Sequence, residues 1–142
     1  MIIADCSAII FYLTDDGPAG RRVRERVAGE DAVSAPELLD YEVMSALAGL
    51  SRGRRGGEPK LATRQVEKAM ATFRLLPIDR YNTVRLWERV WALSANLSAY
   101  DAQYVALSEA LDVPLVTADH RIARAGTARC TIETVTQPAN EP

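Results

Sequence analysis

Two aspartates each close a short apolar run: Asp5 follows Met1-Ile2-Ile3-Ala4, and Asp119 follows Pro114-Leu115-Val116-Thr117-Ala118. They lie near opposite ends of the chain, but each stands where a parallel strand hands over to a helix. In open α/β sheets the ligand crevice lies beyond the carboxyl ends of the strands, so two such runs bring distant carboxylates to one place. Two more acids are candidates for the same place. On a helical wheel Glu42 falls between Leu38 and Ala46 at the flank of the apolar arc, and Asp101 takes a similar flank beside Tyr104 and Val105. An ionised carboxylate is rarely buried unless it is paired or holds a metal. Two unit charges ~4 Å apart repel by about 4 kcal/mol at an effective dielectric near 20, so several carboxylates in one pocket require a counter-charge. An all-oxygen acidic set selects a hard cation, Mg²⁺ or Mn²⁺. Zinc is disfavoured, because the only histidine is His120 and neither Cys6 nor Cys130 has a partner at metal spacing.

Each acid also has a purely structural reading. Asp101 stands three residues after Ser98, as in a variant capping box, and Asp119 is placed to cap a helix that begins at His120. Asp5 is suited to opening a turn, and Glu42 to pairing with an arginine of a neighbouring helix. Taken singly these roles are the commoner ones. The coincidence of all four at strand ends and helix flanks facing one crevice favours a shared site.

The elements that must position these acids follow from periodicity. Strands are expected over residues 1–4, 32–35, 76–79, 113–117 and 131–135. Helices are expected between them. The first is capped by Ser7 and carries Ala8, Ile9, Ile10, Phe11 and Leu13. The second, over residues 19–28, has only Val23 and Val27 as an apolar stripe and reads as peripheral. Pro36 suits the first position of a third helix reaching about Leu50, which the run from Arg52 to Gly57 then ends. A fourth covers residues 63–75, and a fifth, over residues 81–94, turns Val84, Trp87, Val90 and Trp91 inward. Ser98 opens a helix containing Ala102, Val105, Ala106 and Leu111, and a short helix spans residues 120–125. Strands alternating with helices, often two per crossover, indicate a three-layer α/β domain with a mostly parallel sheet. Residues 1–135 read as one domain, and residues 136–142 as a disordered tail.

The bulk properties are compatible with this. A chain of 142 residues, 48% hydrophobic, is long enough for one substantial core. With 17 basic and 19 acidic side chains, its formal charge of -2 offers no general attraction to nucleic acid or anionic membrane. A polyanion needs a local patch. The basic residues are arginine apart from Lys60 and Lys68, a composition suited to two-point phosphate contacts. Two cysteines make no disulfide framework, no apolar run reaches the ~18 residues of a membrane span, and Asp5 interrupts any leader-like start. A reduced, soluble, cytoplasmic protein is the expectation.

Four segments taken in order resemble the PIN domain: Ile2-Ile3-Ala4-Asp5-Cys6-Ser7, the run from Pro36 to Leu47 around Glu42, the run from Leu97 to Leu107 around Asp101, and the run from Pro114 to Asp119. More narrowly they resemble the VapC toxins of bacterial type II toxin–antitoxin pairs. The resemblance implies a Mg²⁺- or Mn²⁺-dependent ribonuclease whose acidic quartet is Asp5, Glu42, Asp101 and Asp119. Ser7 and Thr117 match the small hydroxyl residues that accompany the first and last acids. It implies an RNA substrate and a VapB-type antitoxin whose C-terminal segment lies in a groove between helices. It also implies a homodimer, with no membrane association.

His120 reads as a solvated first-turn residue, and Cys6 as a small packed residue. Arg52, Arg54 and Arg55 read as a solvated helix-end loop. A dehalogenase-like phosphatase is excluded because Ser7 stands where it needs a second acid. A phosphorylation receiver is excluded because no lysine follows a late strand. The remaining alternative is a catalytically silent PIN-like module that binds RNA or a partner, against which the intact quartet argues.

Overall fold

The computed structural model describes residues 1–53, 55 and 57–136. Among these, β1 (Ile2–Ala4), β2 (Val33–Pro36), β3 (Ile78–Tyr81), β4 (Leu115–Thr117) and β5 (Ile132–Thr134) form one sheet in the order β3-β2-β1-β4-β5, every pair parallel. β1, β2 and β4 are buried throughout, as expected of central parallel strands covered on both faces. The chain leaves β1 towards β2 on one side and later returns to build β4 and β5 on the other. A topological switch point therefore lies between β1 and β4, where Ile3 pairs with Leu115 and Ala4 with Val116.

The helices are α1 (Cys6–Thr14), α2 (Pro18–Ala28), α3 (Leu39–Arg52), α4 (Thr63–Leu75), α5 (Trp87–Leu93), α6 (Ala99–Leu111) and α7 (His120–Arg124). α6 lies across β1, β2 and β4 with α5 packed against it, while α1, α2, α3 and α4 form a second packed group that reaches the sheet through α1. This is the expected layered α/β arrangement. α6 buries Ala102 and every residue from Tyr104 to Ser108, which places the foot of the helix, with Asp101, beside the sheet. Val23 of α2 is fully buried, and α2 packs on α1 at Gly20. There a Cβ would stand 2.0 Å from the Asp15 carbonyl oxygen, so only glycine permits the approach. Among the described residues no helix is long and apolar enough to cross a membrane.

Four local expectations are corrected. Asp5, not Ser7, caps α1, because its carboxylate reaches the Ala8 amide while the Ser7 hydroxyl is drawn across to β4. Pro36 ends β2 instead of opening α3; it lies opposite Tyr81, and the next amide, of Glu37, donates to the Tyr81 carbonyl. β3 begins two residues later than expected and takes Tyr81 from the next helix. Finally, the segment after β3 is a 3₁₀ turn (Val84–Leu86) followed by the short α5, which buries Val90 and Leu93. Val84, Trp87 and Trp91 face outward, Trp91 being 83% exposed. Leu86, Val90 and Leu93 make a second apolar stripe at helical spacing, so periodicity does not choose the face; packing against α6 does. Arg54 and residues 137–142, six of the seven residues expected to form the tail, lie outside the described residues.

Candidate active site

Asp5 leaves β1 as the cap of α1, which holds its side chain over the carboxyl edge of the sheet. Its Oδ1 accepts from the Ala8 amide at 2.9 Å and from the Ser7 hydroxyl at 2.7 Å, and its Oδ2 accepts from the Thr117 hydroxyl. The two hydroxyls lie 3.2 Å apart, each with its proton directed to Asp5, and each also accepts from an amide: Ser7 from Ala118 and Thr117 from Asp119, both at 2.9 Å. The expected companions of the first and last acids thus stitch the ends of β1 and β4 together. Asp5 is 4% exposed. Burial pushes its carboxyl up from 3.8 to about 6 against the pull of these hydrogen bonds, and the charge of Asp101 adds to the rise.

Glu42 and Asp101 stand in the first turns of α3 and α6, both half-buried on the flanks the helical wheel assigns them. Glu42 Oε1 accepts from the Tyr104 hydroxyl at 2.7 Å, and no arginine pairs with it among the described residues. Burial raises the Glu42 carboxyl, Tyr104 opposes the rise and Asp101 adds to it. Asp101 is raised by burial and by the charge of Asp119, with the Ser98 hydroxyl opposing. Ser98 caps α6 by accepting from the Asp101 amide at 3.0 Å. Asp119 caps α7 through the Arg121 amide, and the Arg121 guanidinium grips both its oxygens, the shortest contact being 2.6 Å. That pairing holds Asp119 below the ordinary carboxylate range. Asp5 and Asp119 are therefore caps, a role that does not compete with a shared site and that sets where those two carboxylates point, whereas at the start of α6 the side-chain cap is Ser98 and not Asp101.

All four acids, with Ser7, line one cleft of about 700 Å³ at the β1/β4 switch point. Part of its lining is apolar, contributed by Ile10, Phe11, Ala46 and Leu50 of α1 and α3. Among the described residues no three His, Cys, Asp or Glu side chains stand close enough to enclose an ion as they are now turned. Three of the four acids take protein partners: Asp5 the Ser7 and Thr117 hydroxyls, Glu42 the Tyr104 hydroxyl, and Asp119 the Arg121 guanidinium. The donor chemistry nevertheless fits a hard divalent cation: four carboxylates face one cleft, and three of them are raised in part by mutual repulsion that such an ion would cancel. Cys6 lines the same cleft, but burial and the neighbouring acids push its thiol up to about 12, so it is a neutral packed group and no thiolate ligand.

Tyr104 and Arg121 also line the cleft, and the sequence does not single them out. The signal for Tyr104 is its place one helical turn after Asp101. Arg121, two residues beyond a capping aspartate, has none that separates it from a solvated arginine. His120 is half-buried, with Nε2 2.8 Å from the Thr136 hydroxyl, and is not solvated as expected. Arg52 and Arg55 are exposed and do not line the cleft.

Residues 2–128 match the family model of the PIN domain. Ribonuclease VapC9 of Mycobacterium tuberculosis is 43% identical over 135 residues, which is 95% of this chain and 98% of the relative. Solved structures that share the fold include two toxin structures. VapC20 of Mycobacterium tuberculosis, described as a toxin that cleaves the sarcin–ricin loop, aligns with a TM-score of 0.64 at 17% identity, over 89% of this chain and 95% of that one. A toxin–antitoxin complex from Klebsiella pneumoniae aligns with a TM-score of 0.60 at 15% identity, over 96% and 99%. With 43% identity to VapC9 running along nearly the whole of both sequences, the chain belongs to the PIN-domain family and, within it, to the VapC ribonucleases.

Proposed function

We propose that this protein is the toxin of a type II toxin–antitoxin pair, an endoribonuclease that hydrolyses RNA phosphodiesters at the acidic cleft. The observation that carries the reading is the convergence of Asp5, Glu42, Asp101 and Asp119 at the β1/β4 switch point. These four carboxylates would hold Mg²⁺ or Mn²⁺. A cation held there would supply a water of lowered pKa and would offset charge on the phosphoryl oxygens. Ser7 and Thr117 fix the two oxygens of Asp5, and Tyr104 fixes Glu42, so the donor set is oriented before substrate arrives. No side chain acts as nucleophile: the Cys6 thiol stays protonated, and His120 is bonded to Thr136 and lies outside the cleft lining.

The antitoxin reading is supported by the toxin–antitoxin assembly among the fold neighbours and by the shape of the cleft. An apolar wall beside four acids suits an amphipathic segment that ends in a basic side chain. A second copy of this chain is assigned to the outward face of Val84, Trp87 and Trp91, where α5 leaves two tryptophans in water. Trp91→Glu is expected to shift the sedimenting mass from dimer to monomer; an unchanged mass would reject that face. Action in the cytoplasm is supported by two free cysteines that form no bridge.

The test is cleavage of RNA by the purified protein with Mg²⁺ or Mn²⁺, with and without chelator. Cleavage is expected with either metal and none after chelation. Cleavage that persists in chelator would remove the metal from the reading, and RNA binding without cleavage in any buffer would favour the catalytically silent module.

A further inference from the structure

The acidic cleft does not end at its carboxylates. A side cleft of about 630 Å³ opens from it between the first turns of α3 and α6, sharing Cys6, Glu42, Ser45 and Ala46 with the acidic site. Its remaining walls are Leu38, Tyr41 and Tyr100. Both tyrosines are unusually open to water for such large rings, 78% and 66% exposed. The size is within the roughly 300–1,000 Å³ range of small-molecule sites. No lysine or arginine contributes to these walls, and the one charged group, Glu42, is an acid, so a phosphate is repelled here. What fits against exposed aromatic rings beside a site for a phosphodiester is a flat, neutral group attached to that phosphodiester. Unpaired bases are held in this way, stacked on aromatic side chains whose own two torsions cost little to order.

We propose that this side cleft is a nucleobase site, in which Tyr41 and Tyr100 stack on an unpaired base adjoining the linkage that is cut. The proposal rests on the ribonuclease reading and extends it: the two tyrosines contribute to the choice of base beside the linkage that is cut.

The experiment begins with total bacterial RNA digested by the wild-type protein in Mg²⁺, from which the cut is mapped and a short oligonucleotide spanning it is made. Tyr41→Ala and Tyr100→Ala are expected to raise KM for this oligonucleotide by roughly 5- to 150-fold, the span of base-stacking losses in other single-strand binders, with kcat changed far less. Tyr41→Phe and Tyr100→Phe restore the affinity, since a phenyl ring also stacks. An abasic residue beside the cut weakens binding to the wild type by a similar factor and adds little to the loss in the Tyr41→Ala variant. 2-Aminopurine at that position is quenched by the wild type and not by Tyr41→Ala.

An active wild type whose alanine variants keep the same KM, and which cuts the abasic oligonucleotide equally well, overturns the nucleobase site and leaves the ribonuclease reading standing. A KM loss accompanied by a fall in sedimenting mass assigns the surface to a second copy of the chain and overturns it as well. Failure of the wild type to cut any RNA removes the ribonuclease reading first, and the nucleobase site with it.

Discussion

Asp5 and Asp119 occupy equivalent positions in the fold and have opposite electrostatics. Each ends one of two neighbouring parallel strands, and each caps the helix that follows. Asp5 is buried, accepts three hydrogen bonds from neutral donors and pairs with no arginine or lysine among the described residues; burial dominates and its proton is held more tightly than usual. Asp119 stands at the rim, where Arg121 neutralises it and its proton is lost more readily than usual. The same local arrangement therefore yields one carboxylate that lacks a counter-charge and one that already has it. Of the two, Asp5 has more to gain from a divalent cation.

The largest expected effect tests that asymmetry directly. Asp5→Asn should lower cleavage by more than the roughly 1,000-fold that loss of one stabilising donor costs in other enzymes, without lowering the melting temperature of the metal-free protein at neutral pH. Normal cleavage by the substituted protein would remove Asp5 from the site. The second effect is on stability against pH. Because the folded-state pKa of Asp5 is raised from 3.8 to about 6, its contribution is fully present below pH about 4 and lost as pH rises through about 6. The shift corresponds to about 3 kcal/mol. Asp119 runs the other way: its lowered pKa favours the fold above the ordinary carboxylate range, and that gain is lost as pH falls. Denaturant titrations of the metal-free protein should show a trend of the Asp5 sign, and Asp5→Asn should diminish it, leaving the part that the raised Glu42 and Asp101 carboxyls contribute; a trend undiminished by the substitution would assign it to those groups alone.

A smaller effect is expected at the hydroxyl that joins the two acids. Thr117→Val deprives Asp5 of a donor and the Asp119 amide of its acceptor, at a cost of about 1–3 kcal/mol, and it should weaken Mg²⁺ binding measured by calorimetry by roughly 10- to 100-fold. Wild-type affinity in that variant would show that the stitch between strands does not orient Asp5. The smallest effect is expected for Arg121→Ala. The Arg121 side chain is 82% exposed, so the ion pair is worth no more than about 1 kcal/mol, while the Asp119 carboxyl should titrate higher by NMR. A large loss of stability would mean that the pair is far less screened than its exposure implies.

Legibility differs from element to element for identifiable reasons. β1, β2 and β4 announce themselves as short apolar runs with turn residues or acids at their ends, and α6 as a strongly apolar helix opened by Ser98. Glu42 and Asp101 are legible because a helical wheel needs only the helix and its buried face. α5 is not, since Val84, Trp87 and Trp91 make as good a stripe as Leu86, Val90 and Leu93, and only the neighbouring α6 selects between them. Ser7 reads from sequence as the cap of α1 because its true partners, Thr117 and Ala118, lie more than a hundred residues away.

What the sequence by itself determined was the alternation of strand and helix, the four acids at hand-over points and flanks, and the hardness of any cation they hold. Those properties follow from residue type and local period. Only the tertiary structure decided that Asp5 is the buried member and Asp119 the neutralised one. It alone turned two tryptophans to water, and it alone set two tyrosines beside the cleft. Burial and electric field are through-space quantities: the Thr117 donor to Asp5 comes from 112 residues along the chain, and no window of sequence contains both.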